Sequence, residues 1–171
     1  MIFLTIGTHE PFDRLIRAID DWCGQGQDTH KLFGQITNPG AGSYRPKHFE
    51  WVSRLTPTEY SERMEQSSLI VSHAGMGSII TALHLGKPIV VMPRRGHLRE
   101  TRNDHQYTTV KMLVGRAGIY VAQDETCLAA VLDRAISEIG STSAPRIGAF
   151  ADPGLTDPLR AFLTGQNNNT I

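Results

Sequence analysis

Short apolar segments alternate along the chain with segments whose apolar residues recur at helical spacing. Residues 2–7, 69–73 and 89–92 are continuous apolar runs, which is typical of strands buried on both faces of a parallel sheet. Shorter strands are predicted at 31–37, 49–52 and 119–122. Helices are predicted from Pro11 through the apolar positions 12, 15, 16 and 19, and over 57–66, 78–85, 104–116 and 125–139.

Local signals mark where several of these helices begin and end. Pro11 suits a first helical position, and Thr56-Pro57-Thr58-Glu59 has the pattern of a capping box with proline at the first helical position. Gly86, with Pro88 just beyond it, closes the helix that starts at Ser78.

The alternation predicts one α/β domain over residues 1–140, a parallel sheet with helices on both faces. Residues 141–171 are predicted to form a polar tail with one short helix capped by Asp157-Pro158. In such sheets ligands bind beyond the carboxyl ends of the strands, so the site is expected in the loops that follow them.

Composition excludes several classes of protein. The 17 basic and 17 acidic residues give no net charge, which argues against a nucleic-acid binder. Cys23 and Cys127 lack metal-ligand spacing and suit a reducing compartment. Neither a signal peptide nor an apolar run of about 18 residues is evident, so we expect a cytoplasmic protein that a partner holds at the inner face of the membrane.

Two loops at the predicted strand ends are rich in glycine. Gly7-Thr8-His9-Glu10-Pro11 either holds a phosphate at the helix N-terminus or is only a tight turn. In residues 73–78 two glycines free the backbone to wrap an anion, Ser78 can cap the helix or donate to phosphate, and the His73 imidazole can donate. His73 could equally be an ordinary histidine at a strand end.

The third loop, residues 94–106, is cationic. Four arginines and one glutamate give residues 94–102 a local charge of +3, which could neutralise a diphosphate without a metal. Asp104 and Gln106 are the kinds of group that read sugar hydroxyls, although Asp104 could simply cap the next helix.

Three stretches together carry a family resemblance: MIFLTIGTHEPFDRLIRAID, VSHAGMGSIITALHLGKPIVVMP and RNDHQ. They resemble the nucleotide-sugar-binding, C-terminal domain of the family 28 glycosyltransferases. Within that family they are most similar to stand-alone bacterial exopolysaccharide subunits related to the catalytic half of the dolichol-linked GlcNAc transferase. The resemblance covers residues 1–140 and leaves out the tail.

The resemblance implies one Rossmann-like half of a GT-B enzyme, the half that holds the UDP-sugar donor. It also implies a membrane-anchored partner subunit that binds the lipid-linked saccharide acceptor, and a single inverting displacement that requires no metal or other cofactor. Positions that match those around the diphosphate are Gly7, Thr8, His73, Gly75, Met76, Gly77 and Ser78, and the cationic loop adds Arg94 and Arg99. Asn103, Asp104 and Gln106 match the motif near the donor sugar.

One position departs from many relatives, which carry a ribose-binding glutamate where this chain has Thr81. A neutral hydroxyl holds the ribose less firmly, and this motivates the alternative of a non-catalytic regulatory or scaffolding module that kept the fold. A dinucleotide or SAM enzyme is disfavoured, because GTHEP rather than G-x-G-x-x-G follows the first strand.

Two roles remain open on sequence alone. The catalytic base lies in the partner or is one of two local histidines, His9 first and His73 second, because an ordinary pKa near 6.5 suits neutral pH. The arginine loop contacts either the diphosphate or an acidic donor sugar, or else anionic lipid beside the partner.

Overall fold

The computed structural model describes residues 1–8, 10–26, 31–38, 40, 42–102 and 105–139. The strands are β1 (Ile2–Thr5), β2 (Leu32–Gln35), β3 (Glu50–Val52), β4 (Leu69–His73), β5 (Ile89–Met92) and β6 (Ile119–Val121). The helices are α1 (Asp13–Gly24), α2 (Pro57–Gln66), α3 (Met76–His84), α4 (His105–Leu113) and α5 (Glu125–Glu138), with one 3₁₀ turn at Gly96–Leu98. Each element predicted within these residues is confirmed, with shifted ends. The tail 141–171 and its predicted helix lie outside the described residues.

The strands of the described chain form a single sheet in the order β3-β2-β1-β4-β5-β6. Every neighbouring pair is parallel, and Ile2 at the centre is in register with Leu32 on one side and Leu69 on the other. This is the strand order of a doubly wound Rossmann sheet, in which successive strands are added to one side of β1 up to β3 and to its other side from β4 onwards. The predicted fold class is therefore confirmed.

Two separate cores cover the faces of the sheet. On one face, alternate strand residues such as Leu4 and Val71 pack with Leu15 of α1 and Leu128 of α5. On the other face Phe3, Ile70 and Val91 pack with residues of the remaining helices, Met64 of α2, Ile79 of α3 and Val110 of α4. Because both faces are buried, strand positions of either parity must be apolar, which explains the uninterrupted runs in the sequence.

The helix ends confirm some of the predicted signals and correct one. The capping box at α2 is present: the Thr56 hydroxyl accepts from the Glu59 amide and the Glu59 carboxylate accepts from the Thr56 amide, at 3.3 and 2.7 Å. Pro11, however, is not the first residue of α1, which begins at Asp13 after a non-helical Phe12. The Phe12 side chain is fully buried, so the chain enters the core before it becomes helical.

The loops that follow β1, β4 and β5 emerge at one edge of the sheet, which we name the carboxyl edge; the opposite edge is the amino edge. β1 and β4 lie side by side, so the two glycine-rich loops are neighbours. Among the described helices, none combines the length and the apolar character that a bilayer span requires.

Candidate functional site

The carboxyl edge holds a cavity of about 180 Å³ at the point where the strand order reverses. The cavity is lined by Ile6, Gly7, Thr8, Glu10, His73, Arg94, Glu100, Thr101 and Gln106. Five predicted site residues thus come together there: Gly7, Thr8, His73, Arg94 and Gln106. They come from the segments that follow β1, β4 and β5, and the parallel sheet brings these segments to one place.

The His73 imidazole lies between the two glycine-rich loops. A Cβ on Gly7, whose φ is +80°, would come within 3.2 Å of the ring carbon Cε1, and a Cβ on Gly75 would overlap Nε2. Both glycines are therefore needed to make room for the ring, whether or not a ligand also approaches them. On the other side of the ring, the Ser72 hydroxyl lies 3.3 Å from Nδ1.

Burial lowers the pKa of His73 to about 4, and the positive charge of Arg94 adds to the effect, while a hydrogen bond with the Thr5 backbone opposes it. The ordinary histidine pKa near 6.5 therefore does not apply to His73. The imidazole is neutral at pH 7 and can donate one hydrogen bond and accept another, but it is a weak base.

Arg94 is a buried cation that joins two of the loops. Its Nη2 donates to the carbonyl oxygens of Ile6 and Glu10 at 2.8 and 2.7 Å, and its Nη1 donates to those of Pro11 and Glu100 at 2.6 and 3.1 Å. The residue is only 4% exposed. Burial lowers its pKa to about 10, opposed by Glu100 and Glu10, so it stays charged at neutral pH.

Glu100 anchors the cationic loop from the other side, and sequence reasoning missed this role. The Arg14 guanidinium donates to both Glu100 carboxylate oxygens at 2.9 and 2.8 Å, and the Arg95 amide donates to one of them at 2.9 Å. Arg14 also donates to Glu125 at 2.7 Å. Glu100 is the lone acid of an arginine-rich run, a signal that could have indicated it, whereas Arg14 carries no local signal.

The four arginines of this loop do not act together as a cationic surface, which corrects the expectation drawn from the local charge. Arg94 is buried, and Arg95 turns back to Asp124, 3.7 Å away, and to the Gln123 carbonyl. Arg99 and Arg102 are exposed, and neither lines the cavity.

The N-terminus of α3 also differs from the prediction. Gly75 is the N-cap without any side-chain cap, so Ser78 is not the capping residue but lies in the first turn, 8% exposed. The Thr81 hydroxyl donates to the Gly77 carbonyl of its own helix at 2.9 Å. None of Gly75, Met76, Gly77, Ser78 or Thr81 lines the cavity itself, although Gly75 contacts the His73 ring that does.

Gln106, which lies on α4 and lines the cavity, accepts a hydrogen bond from the Arg94 amide at 3.1 Å. Its side-chain carbonyl thereby fixes the start of the cationic loop. Three further predicted site residues, His9, Asn103 and Asp104, lie outside the described residues.

The described chain also contains larger cavities. One of about 610 Å³ at the amino edge is lined by residues that include Lys31, Lys47, His48, Phe49 and Arg63. We place the site in the smaller cavity, because it lies at the topological switch point and contains a buried cation and a histidine with a perturbed pKa. Among the described residues no cluster of three potential metal ligands occurs.

Known proteins show the same fold. The chain superposes on an NMR structure of ALG13 with a TM-score of 0.55 and 18% identity, covering 92% of this chain and 93% of that one. It superposes on the glycotransferase of kitacinnamycin with a TM-score of 0.59 and 20% identity, covering 94% of this chain and 37% of the other. The expected fold, one half of a GT-B enzyme, is thus confirmed.

Sequence comparison identifies relatives of this chain. It is 32% identical over 117 residues to the UDP-N-acetylglucosamine transferase subunit ALG13 of Mus musculus, covering 65% of this chain and 10% of that protein. It is 25% identical over 141 residues to the protein of the same name from Yarrowia lipolytica, covering 72% of this chain and 65% of that protein. The chain therefore spans a tenth of the first relative and less than two thirds of the second. The model of the glycosyltransferase family 28 C-terminal domain matches residues 1–147, and the chain belongs to this family.

Proposed function

We propose that this chain is the donor-binding subunit of a two-component, inverting glycosyltransferase. It takes a sugar from a UDP-sugar and, with a membrane-anchored partner, transfers it to a polyprenyl-diphosphate-linked acceptor in exopolysaccharide synthesis. The site at the carboxyl edge, built from Gly7, His73, Arg94 and Gln106 in a family 28 fold, is the observation that carries this proposal.

The size of the cavity supports a half-site. Small-molecule pockets commonly enclose about 300–1,000 Å³, whereas this cavity measures about 180 Å³ and opens at the sheet edge. A diphosphate fits such a volume, but a whole nucleotide sugar needs a second wall. In the proposed complex the partner supplies that wall together with the acceptor.

The names of the relatives support both a UDP-sugar donor and an enzyme of two subunits. The Mus musculus and Yarrowia lipolytica proteins are each called a UDP-N-acetylglucosamine transferase subunit. A subunit implies another polypeptide in the active enzyme, and UDP-N-acetylglucosamine is the first donor to test here.

The proposed reaction is a single displacement. An acceptor hydroxyl attacks the anomeric carbon, the bond from that carbon to the diphosphate oxygen breaks, and UDP leaves with the bonding electron pair. Amides at the N-terminus of α3 can stabilise the negative charge that develops on the diphosphate. We expect neutral His73 to donate a hydrogen bond to this leaving group.

The acceptor proton must pass to a base. A pKa of about 4 makes His73 a weak base at neutral pH, so the structure favours a base elsewhere. We assign the base to the partner subunit. Within this chain, His9 is the alternative candidate.

Calorimetric titration tests the donor site. The chain, alone and with its partner coexpressed, is titrated with UDP and with a panel of UDP-sugars, and Gln106→Ala is compared with Lys47→Ala at the amino edge. We expect UDP to bind, binding to tighten with the partner, and only the Gln106 variant to lose affinity. Absence of UDP binding in both preparations would contradict the proposal.

A non-catalytic scaffolding module is the second candidate, because the Thr81 hydroxyl is engaged by its own helix rather than presented as a ribose-binding group. In that case alanine at Asp104 or Gln106 leaves polymer synthesis intact while the complex still assembles. Loss of polymer with an intact complex excludes it.

A further inference from the structure

We propose that the tip of the cationic loop, residues 97–102, binds directly to an anionic membrane surface. This inference deepens the proposed function and rests on it for a membrane-borne acceptor. On sequence alone the arginine loop could contact either the donor or anionic lipid, and the structure favours the lipid for the loop tip.

The loop tip presents one apolar side chain between basic ones. Leu98 is 47% exposed. His97, Arg99 and Arg102 beside it are exposed as well. An apolar tip flanked by cations matches the chemistry of a bilayer interface, where acyl chains lie beneath anionic headgroups.

The only acid of this segment is turned away from the surface. The Glu100 side chain is 12% exposed and forms a bidentate ion pair with Arg14. Arg99 and Arg102 form no ion pair within the part of the chain that the structure describes. The charged side chains that the loop tip exposes, Arg99 and Arg102, are therefore positive, although the whole chain has no net charge.

The loop is held in a fixed shape that projects these side chains. The Leu98 and Glu100 amides both donate to the Arg95 carbonyl, at 3.2 and 3.3 Å, and the Arg99 amide donates to Gly96 at 2.9 Å. Arg99 has a φ of +58°, which makes it the one non-glycine residue with positive φ in the described chain. Such a conformation persists only where surrounding contacts enforce it.

A role inside the donor pocket does not account for these residues. Glu100 and Thr101 line the cavity, whereas Leu98, Arg99 and Arg102 do not. A protein interface fits less well too, because an interface of standard size takes about 20–30 residues from each partner, whereas the loop tip has six. At a membrane, in contrast, each arginine contributes separately. A contact beside the pocket would bring a lipid-linked acceptor within reach of the donor.

Co-sedimentation of the full chain with vesicles tests the proposal. Vesicles of phosphatidylcholine with phosphatidylglycerol are compared with vesicles of phosphatidylcholine alone, at low and at high salt. We expect binding to the anionic vesicles that salt weakens. The double variant Arg99→Gln/Arg102→Gln should bind roughly thirtyfold less tightly, about fivefold per arginine, and Leu98→Ser about tenfold less.

Matched controls lie near the amino edge. Arg116→Gln removes one exposed positive charge, and Met112→Ser removes an apolar side chain that is 71% exposed. Both should bind vesicles like the wild type. The proposal would be overturned if the wild-type protein did not bind anionic vesicles. It would also be overturned if the control variants lost as much vesicle binding as the loop variants.

Two further readouts separate the outcomes. If the loop variants bind vesicles normally but lose the partner in lipid-free buffer, the loop is a protein contact and the proposal is wrong. UDP titration of the wild type and of Leu98→Ser, which should retain donor affinity, reports on the pocket. UDP binding without vesicle binding refutes only the membrane contact, whereas vesicle binding without UDP binding refutes only the donor site.

Discussion

The two edges of the sheet are each organised by a buried ion, with different results. At the carboxyl edge Arg94 donates to backbone carbonyls from two loops and leaves an open cavity beside them. Towards the amino edge Asp20 of α1 is fully buried and accepts from the Tyr44 hydroxyl at 2.7 Å and from the Lys47 and His48 amides at 2.9 and 2.7 Å. Asp20 thus ties a single loop down onto its own helix.

This difference shows why cavity volume does not identify the site. The amino-edge cavity is more than three times larger, yet the side chains of Lys47 and His48 that line it are exposed. At the carboxyl edge His73 and Arg94 are held by backbone contacts before any ligand arrives. Preorganised polar groups bind charge more strongly than flexible ones, because less reorganisation is needed.

Removing the two ions should produce the largest effects. Arg94→Met and Asp20→Ala each leave several buried polar groups unsatisfied, so we expect each to lower the free energy of unfolding by about 3 kcal/mol. Denaturant titration at pH 7 measures this loss. Only Arg94→Met should also abolish UDP binding, measured where both variants are folded; equal loss of binding in both would contradict the contrast between the edges.

The second largest effect should be a loss of stability at acid pH that arises from buried His73. Because the folded pKa of His73 is about 4, below the unfolded value of about 6.5, the unfolded chain takes up the proton first as the pH falls. Stability is then complete above pH 6.5 and declines as the pH drops towards 4, by about 2 kcal/mol between pH 6.5 and 5. His73→Gln should remove this slope in denaturant titrations, whereas His97→Gln at an exposed position should retain it.

Alanine substitutions at Gly75 and Gly24 test whether the carboxyl edge is more rigid than the amino edge. Gly75→Ala places a Cβ on Nε2 of the His73 ring, which is already in close contact with Gly7 of the other loop, and should cost about 1 to 2 kcal/mol of stability. Gly24→Ala brings a Cβ to 2.9 Å from the His48 ring, but that ring is 50% exposed and can turn away. We expect less than about 0.5 kcal/mol for this change. Similar melting temperatures for the two variants would show that the carboxyl edge adapts as readily.

Gly77→Ala should have the smallest effect on stability, and it tests whether the donor diphosphate lies at the N-terminus of α3. A Cβ on Gly77 meets nothing within 4 Å, so Gly77→Ala should leave stability unchanged or slightly raised. If the diphosphate approaches this backbone, the variant should lose about tenfold in UDP affinity, the equivalent of one hydrogen bond to a charged group. Calorimetric titration with UDP measures this loss, with Lys47→Ala as the amino-edge control. Wild-type affinity in Gly77→Ala would place the diphosphate elsewhere.

Much of the fold could be predicted because its signals are local. Continuous apolar runs indicated strands buried on both faces, and Thr56 with Glu59 indicated the start of α2 through a capping box that forms within four residues. The errors occurred where a distant contact outweighed a local preference. Pro11 suits a helix start, but burial of Phe12 in the core delays α1 by two residues.

The chemical roles at the site were less predictable. The order of the elements was enough to place the glycine-rich loops at one edge. The charge of the arginine run, in contrast, indicated a cationic surface, and only the packed structure distinguishes buried Arg94 from exposed Arg99. No local pattern connects Glu100 with Arg14, because the two are 86 residues apart.

The sequence by itself determined a parallel α/β sheet and the edge at which the glycine-rich loops meet, because apolar periodicity and the order of the elements can be read directly along the chain. The tertiary structure decided which charges are satisfied internally and which face outward, and it decided that the two glycines make room for the His73 ring. Those outcomes depend on burial and on distances between segments remote in sequence, and it is desolvation in the folded chain that lowers the pKa of His73.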